Sequence, residues 1–187
     1  MSILDKVVAA VTPPESDETR AKARQEARAA ASPGDWLSMA LDHHLAIEGA
    51  FAEARAAREP SARRTAQKKL ATLLTGHSMA EEAVLYPAIA QAGEKAHAIL
   101  AYTEQAAAKM QMAALEEMDP MSEDYLDKLG HLEGAVKHHV YEEEGTWFIE
   151  LKKKAPAADQ PKITDRFKEQ FERYMGVDSP KTWNDGR

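Results

Sequence analysis

The chain has no cysteine among its 187 residues, which excludes disulfides, thiolate metal sites and cysteine nucleophiles. Glycine and proline are sparse, nine of each, and gather at a few places: "TPPES" (12–16), "SPGD" (32–35), Pro60, Gly93, "MDPMSED" (118–124) and "APAADQP" (155–161). Long uninterrupted segments remain between these breaks. Aromatic residues make up 6% of the chain, and runs of Val, Ile and Thr are scarce, so strands have little support. Basic residues are the minority, 24 against 31 acidic ones, with a net charge of -7. Phosphate binding wants a basic face, so nucleic acid is not an expected partner. No apolar run approaches the length that spans a bilayer, and no membrane segment is expected. The opening "MSILDKVVAAV" contains Asp5 and lacks a basic start and a cleavage-like site. A secretory leader is therefore not expected, and a reducing cytoplasm is the expected compartment.

What is present speaks for helix: abundant Ala, with Glu, Lys, Gln, Arg, Leu and Met at most other positions. The breaks predict four long helices over 35–58, 61–90, 94–118 and 122–154, with Ser32 or Asp35, then Ser61, then Ser122 as caps. Short connections between helices of this length predict an all-α, up-down-up-down four-helix bundle. An additional N-terminal helix (17–31) and a short C-terminal helix (162–176, closed by Gly176) flank it. The implied division is an N-terminal extension at 1–32, the bundle at 33–154, and a linker, short helix and tail at 155–187. Ile3, Leu4, Val7, Val8 and Val11 also recur at helical spacing and predict a small amphipathic element that docks on the bundle or on a partner subunit.

Two stretches stand out. In "GHSMAEEAVLYP" (76–87), His77 precedes Glu81 by four residues and Glu82 follows; in "HHVYEEEGTWF" (138–148), His139 precedes Glu143 by four and Glu144 follows. Residues four apart share a helix face. His77 and Glu81 fall on the stripe of Leu70, Leu73, Leu74, Val84 and Ala88, and His139 and Glu143 on that of Leu132, Val136 and Trp147. Both pairs therefore face the core. Two carboxylates buried at similar depth are costly, and one would have to take a proton unless a cation offsets them. A carboxylate from each segment can bridge two metal ions, with histidines completing the coordination.

The helix over 35–58 offers His43 and His44 at opposite edges of the stripe Trp36, Ala40, Ile47, Ala50, Phe51 and Ala54, and periodicity does not choose between them. The helix over 94–118 offers His97 or Glu104. Glu82 and Glu144 can orient imidazoles or be solvated. Tyr86-Pro87 reads as the end of a helix and Tyr102 as packing, with His131 structural and His138 peripheral.

"ALDHHLAIEGAF" (40–51) together with the two doubled segments resembles the hemerythrin-like, or HHE cation-binding, domain family over roughly 33–154. The resemblance implies a non-haem di-iron centre in a four-helix bundle, bridged by two carboxylates. Its motif places a histidine three residues before an aliphatic and seven before a phenylalanine, as His44 stands to Ile47 and Phe51. Position by position, it implies His44, His77, Glu81, His139 and Glu143 as ligands. The family's histidine on the third helix is missing: Gln105 stands where it would be expected, leaving His97 or Glu104 as the substitute.

Three functions follow as expectations. The first is a di-iron protein that binds or senses O2, NO or peroxide under oxidative or nitrosative stress. The second is an enzyme on the same metal, disproportionating peroxide, or an iron donor for repair of damaged centres. The third is a metal-free helical interaction protein. The terminal helices are candidates for homodimer contacts.

Overall fold

Local chemistry sets where the helices begin. Asp35 accepts from the Ser38 amide at 2.8 Å and Ser122 from the Tyr125 amide at 3.2 Å, each supplying an acceptor to an unpaired N-terminal N–H. The computed structural model describes residues 15–176, and every helix or strand assignment among them is helical. The helices are α1 (Asp17–Ala30), α2 (Trp36–Ala56), α3 (Pro60–Ala80), α4 (Tyr86–Gln91), α5 (Lys95–Glu116), α6 (Glu123–Glu142), α7 (Phe148–Lys154) and α8 (Gln160–Met175). The amphipathic stretch at 3–11 and the tail after Gly176 lie outside the described residues.

Three expectations need correction. Ser61 does not cap α3: the helix begins with Pro60 in its first turn, where a missing N–H costs nothing, and the Ser61 carbonyl instead accepts from the Thr65 hydroxyl at 2.9 Å. The segments 61–90 and 122–154 are also not regular α-helices. Each is interrupted by a five-residue π turn, Glu81–Leu85 joining α3 to α4 and Glu143–Trp147 joining α6 to α7. The Tyr86 amide donates to the Glu81 carbonyl and the Phe148 amide to the Glu143 carbonyl, five residues back in each case. Tyr86-Pro87 therefore does not end the helix. Pro87 sits in the first turn of α4, where the chain restarts after the wide turn.

Helix α2 packs against α3, α6, α1 and α8; α5 packs against α4 and α6; and α8 also lies along α3. Coverage from so many sides buries the first half of α2 almost all round, His43 and His44 included. That is why its periodicity left the inward histidine open. Both flanking helices spend their apolar faces on their own bundle. Ala23 and Ala27 of α1 are buried, as are Phe167, Phe171 and Met175 of α8. Gly76 allows α8 to approach: a Cβ there would stand 3.1 Å from Met175 Sδ. The Trp36 indole donates to Gln160 Oε1 at 2.8 Å and ties α2 to the start of α8. At the distant end, Arg64 donates to the Leu115 and Glu116 carbonyls, each at 3.2 Å, and serves the open C-terminus of α5.

Candidate metal centre

The two π turns begin at the two core glutamates, and this decides what surrounds them. On a regular α-helix, residues five apart point about 140° away from each other; one wide turn brings them onto the same face. Tyr86 thereby joins Glu81 in the core, and Phe148 joins Glu143. Glu81 and Glu143 are fully buried, and each carboxylate presents one oxygen to either side.

On one side, His44 Nε2 stands 3.3 Å from Glu143 Oε2 and 3.9 Å from Glu81 Oε1, and His77 Nε2 stands 3.2 Å from Glu81 Oε1. These four atoms are buried and have no hydrogen-bond partner. His44, His77, Glu81 and Glu143 each offer a ligand atom, all within 4.8 Å of one another. Two imidazole nitrogens and two carboxylate oxygens, orphaned and convergent, form a donor set that fits a cation with N/O preference.

On the other side, His139 Nε2 stands 3.2 Å from Glu143 Oε1, and the Tyr86 hydroxyl lies 3.0 Å from Glu143 Oε1, 3.1 Å from Glu81 Oε2 and 3.1 Å from His139 Nε2. The Gln105 amide donates to Glu81 Oε2 at 2.6 Å and to the Tyr86 oxygen at 2.5 Å.

Carboxylates orient two of the imidazoles. His44 Nδ1 donates to Glu144 at 2.8 Å and His139 Nδ1 to Glu104 at 2.8 Å. In the neutral ring this turns each Nε2 lone pair inward. Glu144 is itself buried, and Arg24 of α1 offsets its charge, donating through Nε to both its oxygens at 3.0 Å while its terminal nitrogens hold Glu48. Glu82 behaves differently. It lies partly exposed and accepts from Lys109 at 2.6 Å.

Without a cation, protons do the neutralising. Burial, then the Glu143 charge, pushes Glu81 up to about 7. Burial alone would keep His139 neutral, but Glu143 and Glu104 outweigh it and raise the imidazole to about 10. His44 is likewise raised, burial being outweighed by Glu143, Glu144 and Glu81. Burial holds His77 well below its ordinary value, helped by the nearby His44 and His43, so its nitrogens stay free of a second proton.

Of the residues singled out from sequence, the structure brings His44, His77, Glu81 and Glu143 into one cluster and sets His139 across the carboxylates from it. His97 is not brought there. It lies about two turns before Gln105 on α5, its ring stacks on Trp147 at 5.8 Å, and its Nδ1 faces Glu94 at 3.4 Å. Trp147 also meets His139 edge-on, with ring centroids 5.7 Å apart. From α5, Gln105 instead reaches the core while Glu104 holds His139. His43 is buried against His77 and Phe171, with rings 5.7 and 3.7 Å apart. His138 pairs with Glu15 near the surface, His131 is exposed, and Tyr102 donates to the Glu82 carbonyl from an exposed position. Periodicity missed Tyr86 because it assumes an α-helical step. The matched position of Phe148 in the second segment was the available signal. Nothing in the sequence marked Arg24.

A model of the hemerythrin HHE cation-binding domain matches residues 37–151, which leaves α1 and α8 outside the match. Neither a curated protein nor a solved structure matches the chain. The match takes in both π turns, all four clustered residues and His139, and covers more than half of the chain: this protein belongs to the hemerythrin HHE cation-binding domain family.

Proposed function

We propose that the protein holds a pair of non-haem iron ions between Glu81 and Glu143 and uses them to bind or sense a small ligand such as O2, NO or peroxide. The observation that carries this reading is the set of four buried, unpartnered and convergent donor atoms on His44, His77, Glu81 and Glu143. The second oxygen of Glu143 lies against His139 and Tyr86 and that of Glu81 against Tyr86, which suits bridging rather than chelation of one ion. On this reading α2, α3 with α4, α5, and α6 with α7 run alternately up and down around the metals. Residues 33–154 then form the metal-binding unit, and the flanking segments support it.

Bound iron supplies redox electrons and a centre that attracts small ligands; the chain supplies access and selectivity. A cavity of about 30 Å³ adjoins the site, lined by Ile47, Leu74, Val136 and Val140 with His77, His139 and Gln105 at its polar end. A water-sized guest needs ~10–15 Å³, so a diatomic fits and a metabolite does not. The aliphatic wall favours an uncharged guest. Gln105, whose side-chain oxygen is buried and unpartnered, offers such a guest a polar group that neither the histidines nor the carboxylates provide. Among the described residues no helix is long and apolar enough to cross a membrane, and the cytoplasm is the proposed compartment.

Metal analysis of protein purified with iron supplied, with an optical spectrum of the reduced form before and after air, tests this. Two irons per chain and a reversible spectral change are expected. Absence of iron overturns the reading. Peroxide consumption by the iron form, compared with Glu81→Ala, separates ligand binding from turnover: a binder consumes no more peroxide than the variant.

A further inference from the structure

The Tyr86 hydroxyl has more neighbours than a phenol can satisfy. It lies 3.0 to 3.1 Å from Glu143 Oε1, Glu81 Oε2 and His139 Nε2, all buried. It has one hydrogen to give, and two of the three neighbours are carboxylate oxygens that only accept when ionised. His139 commits its other nitrogen to Glu104, so its Nε2 meets the hydroxyl as a lone pair when the ring is neutral. Extra protons on His139 and Glu81 relieve these contacts in the metal-free site, and a cation among the same atoms would relieve them in place of those protons. The spacing has a simple meaning. Oxygen and nitrogen ligands ~2.1 Å from one cation in octahedral geometry stand ~3 Å from each other. Tyr86 Oη, Glu143 Oε1 and His139 Nε2 form a triangle with edges of 3.0, 3.1 and 3.2 Å, the proportions of one face of such a shell.

We propose that Tyr86 is a metal ligand, its oxygen joining His139, Glu81 and Glu143 on the second cation while His44 and His77 serve the first. This rests on the metal reading above and deepens it. The centre is then asymmetric: two imidazoles on one ion, and one imidazole and one phenolate on the other. Binding releases the phenol proton to solvent and places a hard anionic oxygen on that ion, which suits iron(III) over iron(II). Gln105, donating to the Tyr86 oxygen, holds it in place without competing for the hydrogen. The π turn at Glu81–Leu85 is what delivers the ring, since a regular helix would turn Tyr86 away from Glu81.

The test uses the full chain loaded with iron(III). Wild-type protein should show a visible tyrosinate-to-iron(III) charge-transfer band and, on excitation into it, resonance-enhanced tyrosinate ring vibrations. Tyr86→Phe should lose both while keeping at least one iron per chain. Tyr102→Phe, whose ring lies 5.1 Å from that of Tyr86, should keep both and exclude the neighbouring phenol as the source. Circular dichroism checks that each variant folds, and the wild-type vibrations decide even if Tyr86→Phe does not. Iron bound without tyrosinate vibrations overturns the ligand role of Tyr86 and leaves the metal reading standing. No iron in the wild type overturns both.

Discussion

Helices α3 and α6 each bring a histidine and, four residues on, a glutamate into the core, and each widens into a π turn at that glutamate; five residues later one carries Tyr86 and the other Phe148. Phe148 stacks on the His44 ring at 6.1 Å and meets Trp36 edge-on. It is a wall. Tyr86, at the matching position, places an oxygen among three potential ligand atoms. The next glutamates also part company. Glu144 is buried, holds His44 and is held by Arg24, whereas Glu82 faces Lys109 near the surface. A near-repeat in sequence thus yields two unlike halves of one site. The packing around each copy decides the difference: α1 covers the second π turn, while α8 packs on the first and α5 reaches it through Tyr102, Gln105 and Lys109.

The strongest way to break this comparison is to remove what the halves share. Glu143→Ala and Glu81→Ala each delete a proposed bridge, and metal content measured by mass spectrometry should fall from two ions per chain to fewer than one. A variant that keeps both ions would show that the carboxylate does not join them. Proton linkage comes next. The metal-free site holds protons on Glu81, pushed up to about 7, on His139, raised to about 10, and on the raised His44. Cations must displace these protons, so affinity should rise with pH between 6 and 8, by about tenfold per pH unit for each proton released. Titration calorimetry in buffers of different ionisation enthalpy counts those protons.

The unlike glutamates give a sharper contrast. Glu144→Gln should weaken metal binding by roughly 10–100-fold, because it removes the carboxylate that orients His44 and leaves Arg24 with Glu48 alone. Glu82→Gln should change metal affinity little and stability by ~0–1 kcal/mol, as for a partly exposed pair. Equal effects from the two substitutions would show that the two halves of the site are supported alike. The smallest expected effect concerns the support of the first half. Gly76→Ala should change denaturant unfolding by less than ~1 kcal/mol, since the added methyl meets the flexible end of Met175, which can shift, and alanine's better helix propensity offsets the crowding. Metal content should not change.

Much of the architecture is legible in the sequence. Helix ends predicted from Pro60, Gly93, Ser122 and Gly176 fall within about two residues of the observed ones, because breakers and caps act locally. His77, Glu81, His139 and Glu143 were legible because i,i+4 spacing on an apolar stripe fixes a face whatever lies opposite. The sequence left His97 and Glu104 as alternatives because α5, rich in alanine all round, carries no periodic signature of its inward face. Gln105, one of the few polar residues buried there, turned out to face the site.

The sequence by itself determined an all-helical chain, its breaks, and a doubled histidine-glutamate pair that must either bury charge together or share a cation. These follow from short-range geometry and from the cost of taking carboxylates out of water. Only the tertiary structure decided that α1 and α8 close over α2 and bury both of its histidines, that Arg24 neutralises Glu144, and that wide turns swing Tyr86 inward. Those outcomes depend on contacts between residues up to 128 positions apart and on a change of helical pitch, and the spacing of residues along one helix records neither.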